Sequence, residues 1–141
     1  GIVHAVDHFN GNPGRESNYQ VTRADLGDLK DNFLQNVERM GLKDYVRLYD
    51  MEAEVAGPIL RKSANPLRLL FIDANHSYEA TAGYINEFVD LVMDGGLIVF
   101  DDYSAAFPGV VRAVEELILD SPRFEAPIQY ANTLVVRKTS S

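Results

Sequence analysis

Two short apolar runs, each stopping at an acid, constrain this chain more than anything else in it. Leu67 to Ile72 ends at Asp73, and Gly96-Leu97-Ile98-Val99-Phe100 ends at Asp101-Asp102. A short apolar run bounded by polar turn residues reads as a strand buried on both faces. After each run a polar turn hands over to a helical pattern, with Ser77 or Asn75 available to cap the first of those helices. In open α/β sheets ligands bind in the crevice outside the carboxyl ends of the strands. Two neighbouring parallel strands would therefore deliver Asp73, Asp101 and Asp102 to one rim.

The rest of the chain alternates in the same way. Ile2 to Asp7 reads as a strand that again ends in an acid, and Phe9 to Glu16 is dense in turn formers. The glycines of that loop fit neither phosphate-binding spacing. Leu26, Leu29, Phe33, Leu34, Val37 and Met40 recur at helical spacing, with Asp25 as a cap and Gly41 as a stop. Val46 to Tyr49 is a short strand leading into Asp50-Met51-Glu52. Ala53 to Lys62 is helical, with Pro58 tolerable only if the helix effectively starts there. Ala82 to Val92 continues an amphipathic helix closed by Gly95 and Gly96, and Val110 to Ile118 marks another that ends before Pro122. Phe124–Gln129 and Thr133–Arg137 form two closing strands with Ala131-Asn132 at their turn. Strand and helix alternate four times before that pair, which predicts an α/β domain with a mostly parallel sheet and right-handed crossovers.

Composition excludes several classes of function. With 141 residues the length suits one domain with a real core, residues 1–141. No apolar run approaches the length of a membrane span, and no signal pattern opens the chain, so the expected setting is cytoplasmic. The chain has no cysteine, which removes disulfides, thiolate chemistry and cysteine-ligated zinc. A net charge of −8 argues against nucleic acid as a partner and suits a cation or a small molecule.

Phe71-Ile72-Asp73-Ala74-Asn75-His76-Ser77-Tyr78-Glu79, followed by Gly95-Gly96-Leu97-Ile98-Val99-Phe100-Asp101-Asp102-Tyr103, resembles the class I S-adenosylmethionine-dependent methyltransferases. The nearest group is the small-molecule O-methyltransferases that include macrolide and aminocoumarin sugar enzymes. Val3 to Asp7 looks like that fold's second strand, Asn32 to Glu52 like its next helix and third strand, and Phe124–Arg137 like its antiparallel closing pair. The resemblance implies a Rossmann-like, doubly wound sheet with a C-terminal antiparallel strand pair. The family's first strand and Gly-rich turn have no counterpart in these residues. On the family pattern that strand lies between the second and fourth, so the sheet is expected to be open in its middle, N-terminally truncated, and prone to self-association.

The resemblance also assigns residues. S-adenosylmethionine would be held by Asp7 at its ribose hydroxyls, by Met51 and Glu52 around the adenine, and by Asp73. In metal-dependent members one acid after the fourth strand and two after the fifth bind magnesium, and Asp73, Asp101 and Asp102 fall at those positions. Oxygen ligands of this kind suit Mg²⁺, which would lower the pKa of a bound acceptor hydroxyl. Those relatives carry an Asp as base where this chain has Asn75, whose amide accepts no proton at neutral pH. His76 is next door, with an unperturbed pKa near 6.5, and is a candidate base or a structural hydrogen-bonding group. His4 and His8 flank Asp7, but a strand spreads four residues over roughly 13 Å, too far for one ion. Tyr49, Tyr78 and Tyr103 lie near the same rim and could line an acceptor pocket, although packing is the commoner role of such residues. The expected function is O-methylation of a small-molecule or sugar hydroxyl. The competing readings are a catalytically degenerate binding or assembly module and a Rossmann-like enzyme using another nucleotide.

Overall fold

The computed structural model describes residues 1–11, 29–63, 65–73 and 75–140. The expected cap Asp25 and most of the turn-rich loop after Gly11 lie outside the described residues. The chain divides into two compact units, Gly1–Ala56 and Gly57–Ser141.

The first unit is built on β1 (Val3–Val6) and β2 (Val46–Tyr49), which pair in parallel with Val3 opposite Val46 and Val6 opposite Tyr49. Helix α1 (Leu29–Arg39) connects them, with Asp31 in its first turn and Arg39 in its last, the signs that complement the helix dipole. Gly41 follows at φ +69, the left-handed conformation that closes a helix at least cost in glycine. Helix α2 (Ala53–Ser63) contains the unit boundary. It begins at Ala53 rather than at Pro58, because Val55 and Ala56 already donate to the Glu52 carbonyl. Pro58 is thus carried inside the helix, where it lacks an N–H to donate.

The second unit holds β3 (Leu67–Ile72), α3 (Tyr78–Phe88), β4 (Val92–Phe100), α4 (Pro108–Val114), β5 (Ile128–Tyr130) and β6 (Thr133–Arg137). The sheet order is β3-β4-β6-β5, with β3 and β4 parallel and the last two strands antiparallel. The α/β class, the parallel pairs and the antiparallel closing pair are those expected from the sequence, but the first closing strand covers Ile128–Tyr130 instead of Phe124–Gln129, Phe124 making only an isolated bridge to Lys138.

Three other local expectations change. Helix α3 gives way to a tight turn at Val89–Leu91, and β4 starts at Val92, so Gly95 and Gly96 lie inside a strand. Between Leu67↔Val92 and Leu69↔Leu97, two steps along β3 oppose five along β4. Gly95 at φ +74 and Gly96, whose Cβ would sit 2.6 Å from Val92 Cγ1 and 2.8 Å from the Met93 carbonyl oxygen, accommodate that bulge. Helix α4 runs on as a wider turn through Glu115–Leu119. Finally, β3 is an edge strand rather than one buried on both faces. It pairs only with β4 among the described residues, and Leu69 and Phe71 are 55% and 56% exposed.

The core lies between this sheet and α3 and α4. Ile98, Phe100 and Val136 from the sheet meet Val114 and Ile118, all fully buried. Phe100 is the last residue of β4, so the acids that follow it are anchored by the centre of the core.

Candidate active site

In the first unit, β1 and β2 carry their acids at the same end. Asp7 Oδ1 accepts the Phe9 N–H at 2.8 Å, and the Asp7 N–H donates to the Tyr49 carbonyl at 3.1 Å. The Asp7 carboxylate therefore closes its own turn with one oxygen. Phe9 stands at φ +55 in this turn and its ring lies 6.0 Å from that of Phe33. His8 Nδ1 accepts the Asn10 N–H at 2.9 Å, and its Nε2 lies 3.7 Å from Glu52 Oε2. Accepting at Nδ1 puts the proton of a neutral imidazole on Nε2, facing the carboxylate. Met51 and Glu52 sit directly before α2. His4 is a strand residue whose Nδ1 lies 3.0 Å from the Tyr49 hydroxyl, so it does not join His8.

In the second unit, Asp73 follows β3, and the turn into α3 is set by its own side chains. Asn75 Oδ1 accepts the Ser77 N–H at 2.9 Å, and Ser77 Oγ accepts the Ala80 N–H at 3.2 Å as the helix cap. Of the two expected cap residues Ser77 caps the helix, while Asn75 closes the turn just before it. This turn presents His76, whose ring packs on Phe107 at 4.3 Å between centroids. His76 Nε2 lies 2.9 Å from Asp102 Oδ2. Ligand atoms of Asp73, His76 and Asp102 all lie within 4.8 Å of one another, the group among the described residues that has the spacing to hold a metal ion.

The two consecutive acids after β4 diverge. Asp101 Oδ1 accepts from Thr133 Oγ1 at 3.1 Å, while Asp102, at φ +55, turns its carboxylate towards His76. Of the expected oxygen set, Asp73 and Asp102 are thus brought together with His76, and Asp101 is not part of that group. A lone pair on Nε2 facing a carboxylate oxygen at 2.9 Å would be repulsive, so this position calls for either a proton or a cation. Two carboxylates and an imidazole are ligands a divalent cation accepts, the carboxylates suiting Mg²⁺ or Mn²⁺ and the imidazole suiting a transition metal better than Mg²⁺.

The tyrosines are held outside this group. Tyr78 donates its hydroxyl proton to Glu116 at 2.7 Å, and Arg112 lies over its ring while donating to the same carboxylate at 2.9 Å. The bond to Glu116 raises the Tyr78 hydroxyl above its ordinary pKa, and bonds from Tyr78 and then Arg112 hold Glu116 below the usual carboxylate range. A depressed carboxylate contributes stability that is present above its unfolded pKa and is lost as pH falls through its folded pKa. Glu116→Gln is therefore expected to melt below wild type at neutral pH, with the gap closing only under acid conditions. Melting curves at stepped pH check this. Tyr103 is raised chiefly by burial and then by Glu115.

Residues 1–103 match a family described as a methyltransferase domain. The chain belongs to this family. An uncharacterised protein of Acanthamoeba polyphaga mimivirus is 35% identical over 78 residues, covering 54% of this chain and 35% of its own length. Among solved structures, the O-methyltransferase NovP superposes with a TM-score of 0.68 at 22% identity, over 99% of this chain and 60% of its own. The calicheamicin methyltransferase CalS11 gives 0.70 at 14% identity, over 96% and 60%. An O-methyltransferase from Bacillus cereus, solved in complex with SAH, gives 0.65 at 20% identity, over 98% and 63%. These likenesses establish the Rossmann-like methyltransferase fold. The chain spans about a third of the viral relative and less than two thirds of these structures. No helix among the described residues is long and apolar enough to cross a membrane.

Proposed function

We propose that this chain is the core of an S-adenosylmethionine-dependent methyltransferase that transfers a methyl group to a hydroxyl of a small molecule or sugar. The observation that carries the reading is the Asp73–His76–Asp102 group at the strand ends of a methyltransferase-family domain. In the reaction the acceptor oxygen forms a bond to the cofactor's methyl carbon, the carbon–sulfur bond breaks, and the sulfonium leaves as a neutral thioether. The acceptor's proton must go elsewhere. His76 would take it on Nδ1, the ring nitrogen turned away from Asp102, while Asp102 Oδ2, 2.9 Å from Nε2, holds the Nε2 proton and stabilises the imidazolium that results. A divalent cation such as Mg²⁺, bound by Asp73, Asp102 and His76, would lower the acceptor's pKa instead. Asn75, occupied at its Oδ1 by the Ser77 N–H, shapes the turn under this reading rather than moving a proton.

In the first unit, Asp7 retains Oδ2 for the ribose hydroxyls, and Met51 and Glu52 would flank the adenine, Met51 as an apolar wall and Glu52 as an acceptor for its amino group. Self-association through the open β3 edge, where Leu69 and Phe71 are exposed, is part of the same proposal.

Calorimetric titration of S-adenosylhomocysteine, with and without Mg²⁺, tests the reading. Wild type is expected to bind. Hydrogen bonds to a charged group contribute about 1.5–3 kcal/mol each, so Asp7→Ala is expected to weaken binding by roughly 100-fold if one or two are lost. A folded protein that binds no S-adenosylhomocysteine would instead support the degenerate binding or assembly module.

A further inference from the structure

The turn between β5 and β6 grips the acid loop after β4 through both its backbone and its side chains. The Tyr103 N–H donates to the Asn132 carbonyl at 2.7 Å, and Asn132 Nδ2 donates to Asp102 Oδ1 at 3.1 Å. Gln129 Nε2 reaches the Tyr103 carbonyl at 3.4 Å from the adjoining strand. Two consecutive residues of the acid loop, Asp102 and Tyr103, are therefore fixed by one asparagine.

The two oxygens of Asp102 have different partners. Oδ1 takes the Asn132 amide, and Oδ2 faces His76 Nε2. The terminal torsion of an aspartate is broad and nearly two-fold, so a carboxylate without a directional partner on one oxygen would sample orientations that miss His76. An amide suits the task because it is a neutral donor. A carboxylate in its place would repel Asp102, and an alanine would leave Oδ1 to solvent.

We propose that Asn132 is a positioning residue that fixes the orientation of the Asp102 carboxylate against His76, keeping the three ligating groups assembled. The inference rests on the reading of that group as the reaction centre. The neighbouring residue supplies the control. Thr133 donates to Asp101, which lies outside the group, so the same turn holds one acid that matters for assembly and one that does not.

The test is titration of Mn²⁺ into wild type, Asn132→Ala and Thr133→Val, with thermal melting of each. Loss of an outer partner of a metal ligand costs 10–100-fold in metal affinity. Asn132→Ala is therefore expected to weaken Mn²⁺ binding by about 10-fold, while Thr133→Val, which is isosteric, leaves it unchanged. Equal affinity in wild type and Asn132→Ala overturns the inference. So does an equal loss in both variants, which would mean that the turn matters only for stability. A wild type that binds no Mn²⁺ sinks the cation reading alone. The positioning role is then decided by the ring ¹⁵N shifts of His76, expected to move in Asn132→Ala and not in Thr133→Val. Ring shifts that stay in place in Asn132→Ala overturn it.

Discussion

Phe100→Ala is expected to cost about 3–5 kcal/mol, the range for removing a fully buried aromatic side chain from a core. The ring has no exposed surface. On the sheet it lies opposite Ile72 of β3 and Leu134 of β6, so its loss leaves a cavity that two neighbouring strands would have to fill. Partial collapse sets where in the range the cost falls, because a site that cannot close keeps its void. The same position explains why a stability change here would reach the chemistry. Phe100 is followed at once by Asp101, whose N–H donates to the Ile72 carbonyl at 3.0 Å, and then by Asp102. Urea unfolding measures the cost as a shift in midpoint at unchanged slope. A loss under 1 kcal/mol would mean that the core repacks around the gap.

The general plan of the fold is legible in the chain because apolar period and strand-end chemistry coincide. Leu67–Ile72 and Leu97–Phe100 are short, apolar and stopped by acids, and they do form parallel neighbours in register, Ile72 opposite Phe100. What is not legible is decided by residues far along the chain. Val92 continues the spacing of α3, and Gly95-Gly96 reads as a helix stop. Yet Gly95 donates to the Lys138 carbonyl and Lys138 Nζ to that of Val92, contacts across more than forty residues that draw this stretch into β4. Local propensity carries no trace of such a partner. The same holds at the rim. Asp101 and Asp102 are indistinguishable as a pair of acids, and only the hairpin turn, with Thr133 on one and Asn132 on the other, sends them in different directions. His76 was readable as a candidate from its type and place. Its partner was not, because a left-handed Asp102 is not marked by any glycine or turn motif.

Gly109→Ala is expected to cost about 1–3 kcal/mol, the usual penalty for forcing extra volume into a packed site, and to disturb the reaction centre beyond what its stability loss accounts for. Gly109 lies in the first turn of α4, immediately after Pro108. A Cβ there would stand 2.6 Å from the His76 carbonyl oxygen, 2.7 Å from the Tyr78 nitrogen and 3.0 Å from the Ser77 carbonyl carbon. All three are backbone atoms, so no side-chain rotation can relieve the contact. Either α4 or the His76–Tyr78 turn must move. Moving α4 disturbs Val110, Ala113 and Val114, which are buried in the core. Moving the turn is the cheaper response, since it is held by hydrogen bonds at Asn75 and Ser77, two of them from Thr81 to the Ser77 carbonyl, rather than by packing in the core. That displacement carries His76 away from Asp102 and from the Phe107 ring. Gly109→Ala should therefore lose Mn²⁺ affinity relative to wild type under conditions where both are fully folded. Paired urea unfolding and Mn²⁺ titration separate the two effects. An unchanged affinity in Gly109→Ala would show that α4 yields instead, and that the turn bearing His76 is held more firmly than these hydrogen bonds suggest.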